Sequence, residues 1–258
     1  MDCTSSITVN DELGDLSTLL SKQWLLSNQQ GSYASSSVVG CNTSSYHGLL
    51  IGSLNPPTSR VLALSNCLES LLLGCRKIDL STFEFDGAVT PAGYVHMRQF
   101  RRDVGVHFEY DLGSAQLTKS VYLACQSDTV IIEYDIKTSL HEAAEFQLRP
   151  LVALRDFHSV LSTTDQFHMR PTGEGLLVVK NGGETGELLL SCTATQFEKE
   201  PQWWYNFAYR DNRERGQNAE EPLWVPGVFT GQIHGSAKII FRAQFQKCYE
   251  PAALHTLD

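Results

Sequence analysis

Hydrophobic positions fall first at helical and then at strand spacing. Leu13, Leu16, Leu19 and Leu20 share one face of a 3.6-residue period and predict a helix over 11–26. Beyond it the period becomes two. Val130, Ile132, Tyr134 and Ile136 alternate with Ile131, Glu133, Asp135 and Lys137, while Ile239, Phe241, Ala243 and Phe245 alternate with Ile240, Arg242, Gln244 and Gln246. Each run reads as a half-buried strand. Further strands are predicted at 49–54, 60–65, 69–73, 77–85, 93–101, 106–110, 117–124, 144–154, 176–180 and 187–192. Asn55-Pro56-Pro57, Phe85-Asp86-Gly87, Asp111-Leu112-Gly113 and Asn181-Gly182-Gly183 supply turn chemistry between such runs. So many short strands without intervening helices imply antiparallel pairing. The expected fold is all-β, two large antiparallel sheets packed face to face as a β-sandwich, with a short N-terminal helix. No repeat or linker divides the chain, so 1–258 is read as a single domain with 1–26 as a helical lead-in. The weakly patterned region is 196–227, rich in aromatic and charged residues.

Composition narrows the function classes. With 20 basic against 29 acidic residues the net charge is -9, which leaves no footprint for nucleic acid. Arg98, Arg101 and Arg102 form the densest positive patch, too small to suggest a membrane surface. The N-terminal residues lack a charged segment followed by an apolar one, and no apolar run reaches the length of a membrane span. A soluble, cytoplasmic protein is expected. Seven cysteines without C-x-x-C spacing read as buried reduced thiols rather than a disulfide framework. Dispersed histidines give no metal-ligand spacing, and neither G-x-S-x-G nor a phosphate loop is present. No metal or cofactor is expected.

Three segments carry candidate chemistry. The first, 24–50, is too polar and irregular to read as core, and it sets Trp24, Asn28, Tyr33, Asn42, Thr43, Tyr46 and His47 close together. Hydrogen-bonding groups beside aromatic faces suit a polyhydroxylated ligand such as a sugar. The second is Pro150 through His158, a buried-looking strand ending in Arg155, Asp156, Phe157 and His158. Its charges either pair with each other, fixing a loop, or face a ligand or partner. The third, 203–229, contains Trp203, Trp204, Tyr205, Tyr209, Glu214, Arg215, Glu220, Glu221 and Trp224. Its aromatics serve equally as sugar-stacking faces or as core and interface anchors.

Together these segments resemble the N-terminal domain of the bacterial and archaeal type of glycogen debranching enzyme, the amylo-α-1,6-glucosidase family. The family pattern W-L-x-[ST]-N-G-x-G-G-Y-A-S-S-T is matched by Trp24, Leu25, Ser27, Asn28, Gly31, Tyr33, Ala34, Ser35 and Ser36. Its continuation, G-x-N-T-R-x-Y-H-G-L-L, is matched by Gly40, Asn42, Thr43, Tyr46, His47, Gly48, Leu49 and Leu50. A P-x-x-x-x-R-D-x-H motif corresponds to Pro150, Arg155, Asp156 and His158. In the third segment Trp204, Tyr205, Tyr209, Arg215, Gly216, Pro226, Gly227 and Phe229 match. Ser44-Ser45 stand where the family usually has arginine, Asn212 takes the place of the acid in E-x-x-R-G, and Glu214 instead adjoins Arg215.

The resemblance implies a supersandwich similar to those of glucoamylases and galactose mutarotases. It also implies a non-catalytic role in glycogen degradation, binding α-glucan or maltooligosaccharide and docking onto an (α/α)6 glucosidase domain in cis or in trans. The family's catalytic acids belong to that barrel, whose helical repeats are not found in this chain. The residues implied for carbohydrate binding or the domain interface are Trp24, Asn28, Tyr33, Asn42, Thr43, Tyr46, His47, Arg155, Asp156, His158, Trp204, Tyr205, Tyr209, Glu214 and Arg215. Two rival readings are a free-standing aldose mutarotase or epimerase, pairing His158 or His47 with Glu214 or Asp156, and a purely structural interaction module. Under the shared-site reading the three segments converge in space.

Overall fold

The computed structural model describes residues 5–8, 15–56, 58–139, 143–182 and 185–247; Cys3, Leu13, Pro57, Gly183 and Cys248 lie outside them. In chain order the first strands are β1 (Ser5–Thr8), β2 (Gln23–Ser27), β3 (Tyr33–Ser37), β4 (Gly48–Asn55), β5 (Thr58–Leu73), β6 (Arg76–Asp79) and β7 (Thr82–Phe85). There follow β8 (Ala88–Ala92), β9 (Met97–Arg102), β10 (Val106–Asp111), β11 (Ala115–Leu123), β12 (Thr129–Thr138) and β13 (Ala144–Asp156). The last are β14 (Phe167–Pro171), β15 (Leu176–Lys180), β16 (Glu187–Cys192), β17 (Gln196–Ala208), β18 (Glu220–Ile233) and β19 (Ser236–Gln246). Two short helices, α1 (Leu16–Ser21) and α2 (Arg210–Glu214), complete the elements named below.

All pairings are antiparallel. One sheet has nine strands in the order β1-β9-β10-β11-β12-β19-β16-β15-β14, and the other has ten, β2-β3-β4-β5-β13-β18-β17-β7-β8 with β6 added on β5. The expected two-sheet sandwich is thus the observed fold. Trp24 meets Phe108 edge-on at 6.3 Å, Tyr134 lies 4.7 Å from Phe146 and Phe229 lies 5.9 Å from Phe241, each pair joining one sheet to the other. The core between the sheets also holds one ion pair. Glu69 of β5 takes Lys119 Nζ at 2.5 Å and the Tyr134 hydroxyl at 2.8 Å on one oxygen, and the Ser81 hydroxyl at 2.5 Å on the other. A buried charge pair is tolerable only when its remaining hydrogen-bonding capacity is met, as it is here.

Several predicted boundaries shift. The helix expected over 11–26 is confined to Leu16–Ser21, where Asp15 caps it by accepting from Thr18 N at 3.0 Å. From Gln23 the chain is extended, with Trp24 and Leu26 inward and Gln23, Leu25 and Ser27 outward, because pairing with β3 completes the backbone hydrogen bonds of this edge. The runs predicted at 60–65 and 69–73 are one strand, β5, and 77–85 divides into β6 and β7. Residues Gly93–His96 form a 3-10 turn before β9. The weakly patterned 196–227 is largely strand, in β17 and β18, with α2 between them.

The ten-stranded sheet is apolar on both faces. Alternate residues of β5, β13 and β18 point to opposite sides. Val61, Ala63, Val152, Leu154 and Trp224 join the core between the sheets, while Leu62, Leu151, Ala153, Leu223 and Val225 join a second cluster with Ile51, Leu68, Phe83, Leu161 and Phe207. Tyr33, Phe85, Phe167, Trp203 and Trp204 pack against this second cluster while remaining half-buried.

Candidate functional site

The first segment, expected to be too polar for the interior, is largely buried: Ser32, Ser35, Ser36, Ser37, Thr43, Ser44, Ser45 and His47 are all inaccessible or nearly so. Burial is cheap here because each polar group finds a partner inside the chain. Trp24 lies in the core with its indole N–H donating to the Ser37 carbonyl at 2.9 Å. Asn28 accepts from the N–H groups of Gln30 and Ser32 at 3.0 Å and donates to the carbonyls of Ala124 and Ser127 at 2.8 and 3.0 Å, pinning its turn to the other sheet. Asn42 accepts from Ser36 Oγ at 2.8 Å and donates to the Ser65 carbonyl at 3.1 Å. Trp24, Asn28 and Asn42 are therefore occupied in shaping the segment.

The second segment holds a different ion pair from the Arg155–Asp156 bridge expected. Arg155 is 1% exposed and grips Glu221 of β18 with two nitrogens, through Nε and through Nη2 at 3.0 Å. Its remaining N–H groups reach the carbonyls of Ser45, Asp156 and Phe157 at 2.9, 3.2 and 3.3 Å. Glu221 in turn accepts from the Tyr209 hydroxyl at 2.6 Å and from Leu161 N at 2.9 Å. Burial, reinforced by Glu221, keeps the Tyr209 phenol protonated far above its usual range. Asp156 turns outward instead, where one oxygen accepts from His158 N at 2.8 Å.

The third segment closes onto the first through α2. Asn212, 3% exposed, accepts from Ser44 Oγ at 3.1 Å and Ser45 N at 3.0 Å, and donates to Ser45 Oγ at 2.8 Å and the Asn218 carbonyl at 2.9 Å. Thr43 Oγ1 donates to Asp211 at 2.9 Å, and Asp211 N donates back to the Thr43 carbonyl at 2.9 Å. Arg210 holds Glu84 with two bonds at 2.8 and 2.9 Å, tying α2 to β7. Glu214 and Arg215 are exposed and have no side-chain partner among the described residues. Trp204 is half-buried beside Phe207 at 6.5 Å, and Tyr205 is 54% exposed.

The three segments do converge. Tyr46 donates to or accepts from His158 Nδ1 at 3.2 Å, Ser45 meets Arg155, and Asn212 meets Ser44 and Ser45. Trp204 and Tyr205 make no contact of this kind with the other two segments among the described residues, and belong to the outer face of the sheet. Sequence reasoning missed Arg60, whose guanidinium lies 5.6 Å over the Tyr33 ring, and left Phe157 unassigned. It also gave Glu221 no partner, because Arg155 is 66 positions away. Among the described residues, no group of three His, Cys, Asp or Glu side chains is placed to hold a metal.

His47 is buried with its Nδ1 accepting from Thr43 N at 3.2 Å, so the neutral ring carries its proton on Nε2. Burial lowers its pKa from 6.5 to about 4. Below pH 6.5 the unfolded chain gains a proton that the folded one refuses until about 4, so this contribution to stability is complete above neutrality and lost as pH falls through that window. At about 1.4 kcal/mol per pH unit, roughly 2 kcal/mol should go between pH 7 and 5. Urea denaturation at both pH values checks it: His47→Asn, which keeps an acceptor near Nδ1, should show the smaller pH-dependent loss. Equal losses in the two proteins would remove His47 as the cause.

A family model described as glycogen debranching enzyme N terminal matches residues 22–240. The chain belongs to this family. Among solved structures it is similar to a bacterial glucoamylase complexed with acarbose, with 10% identity, a TM-score of 0.40, and coverage of 88% of this chain and 31% of that one. A putative kojibiose phosphorylase from human microbiome is similar at 9% identity and TM-score 0.36, covering 78% of this chain and 26% of that one. A 4-alpha-glucanotransferase from Thermococcus litoralis is similar at 12% identity and TM-score 0.31, covering 71% and 27%. The chain thus spans less than a third of the length of each. No curated protein sequence matches it. In this glycogen debranching enzyme N-terminal domain, the two departures from the family pattern touch: Ser44, in place of arginine, bonds Asn212, in place of an acid.

Proposed function

We propose that this chain is the non-catalytic N-terminal domain of a glycogen debranching-type glucosidase, a single sandwich that docks onto an (α/α)6 catalytic domain in cis or in trans. The observation that carries this reading is the second apolar cluster on the outer side of the ten-stranded sheet, rimmed by half-buried Trp203 and Trp204 and exposed Tyr205. A sheet apolar on both faces is ordinarily covered on both, and large aromatics at a rim are the anchors that interfaces use. The acids of this chain support the same assignment. Glu221 is locked by Arg155, Tyr209 and Leu161 N, so it has no free proton to give, while Asp156, Glu214 and Glu220 stand in solvent. Glycoside hydrolysis needs one protonated and one ionised carboxyl across the scissile bond, and that pair is assigned to the barrel.

The test is the affinity of the chain for an (α/α)6 amylo-α-1,6-glucosidase domain freed of its own N-terminal part, measured by analytical ultracentrifugation. A Trp204→Ala/Tyr205→Ala double variant should bind at least about tenfold more weakly, a cost of about 1.4 kcal/mol. Undiminished affinity in a folded double variant would sink the docking face.

A further inference from the structure

At one corner of the ten-stranded sheet, several ordered side chains stay open to solvent although their neighbours are consumed by the buried network. The Tyr46 ring is held edge-on by Phe157 at 5.4 Å and by His158 at 5.7 Å, and its hydroxyl meets His158 Nδ1 at 3.2 Å. Phe157 and His158 are themselves in ring contact at 4.1 Å. From behind, the Tyr33 hydroxyl donates to the Tyr46 carbonyl at 2.9 Å. Arg60 lies over the Tyr33 ring, donates to the Gly31 carbonyl at 2.5 Å, and accepts Phe157 N on its own carbonyl at 3.1 Å. Three separate stretches of chain are thus tied into one platform. Tyr33, Tyr46, Phe157 and Arg60 are half-buried, and His158 and Asp156 are exposed.

Two features distinguish this corner from an ordinary rim. Its rings are fixed by mutual contacts, so little side-chain entropy remains to be lost on binding. Its unspent polar capacity also surrounds those rings: the second oxygen of Asp156, the outer nitrogen of His158, and the guanidinium N–H groups of Arg60 not taken by Gly31. Aromatic faces bordered by a carboxylate, an imidazole and a guanidinium match a pyranose, which offers an apolar C–H face for stacking and equatorial hydroxyls for hydrogen bonds.

We infer that Tyr46, Phe157 and His158, flanked by Asp156 and Arg60, form a contact site for glucose units of an α-glucan. The choice of an α-glucan rests on the reading of the chain as a debranching-type domain; the stacking of a pyranose does not. The site lies apart from the acids of hydrolysis and holds substrate without transforming it.

The experiment is calorimetric titration of maltoheptaose into the full chain and into the Phe157→Ala and His158→Ala variants, with circular dichroism to verify folding. Affinity for the (α/α)6 domain is measured in parallel, so that loss of the glucan site and loss of docking register separately. Wild type should bind in the millimolar range, and each variant should weaken binding by about tenfold or more. No heat with wild type overturns the site whatever the docking result, and so does wild-type affinity in both folded variants.

Discussion

Removing the Arg155 guanidinium while Glu221 remains is expected to cost about 3–5 kcal/mol, the penalty for stranding a buried carboxylate. Arg155→Met is the variant, and the midpoint of urea unfolding at neutral pH is the measurement. Ordinarily a buried ion pair is replaced almost freely by two apolar residues. Here the Arg155→Met/Glu221→Met pair should recover only part of the loss. Glu221 also satisfies the Tyr209 hydroxyl and Leu161 N, and Arg155 also satisfies three carbonyls, so five groups lose a partner at about 1–3 kcal/mol for each that water cannot reach. Wild-type stability in the double variant would mean that the pair is a simple charge couple and not the centre of a polar network.

The second large effect concerns the two positions at which this domain departs from its family pattern. Asn212→Glu alone should lose about 3 kcal/mol or more, because a carboxylate would replace a buried amide and remove its two donated bonds. Ser44→Arg alone should also destabilise, by burying a cation without an anion. Combined, the two substitutions restore opposite charges at positions already in contact, and a double-mutant cycle should give at least about 2 kcal/mol of favourable coupling. Strictly additive losses would show that the replacements arose independently. A positive coupling would identify Ser44, Ser45 and Asn212 as a neutral latch standing in for an ion pair.

The sheets were legible wherever one face met water. Val130 through Ile136 and Ile239 through Phe245 alternate because their outer sides are solvated, and both fall inside observed strands. The alternation fails in β5, where Val61 through Leu68 are buried on both sides, so one strand reads as two fragments. It fails for the opposite reason in β17, where Glu198, Lys199, Glu200 and Pro201 are all exposed. In β2 the leucine spacing of the helix before it runs on into Leu25 and Leu26, masking the period of two. The site was legible as segments but not as contacts. The motif residues do gather in one region, yet nothing local in Arg155-Asp156 says that the arginine turns inward to Glu221 and the aspartate outward.

The placement of β19 has a consequence for the order of events during synthesis. This strand pairs with β12 on one side and β16 on the other, at the middle of the nine-stranded sheet. Until Ser236–Gln246 leaves the ribosome, that sheet exists as two halves with open edges, each offering unpaired backbone and the apolar faces of β12 and β16. The nascent chain therefore depends on chaperone protection nearly to its end, and the window closes at once when a single strand is laid between the halves.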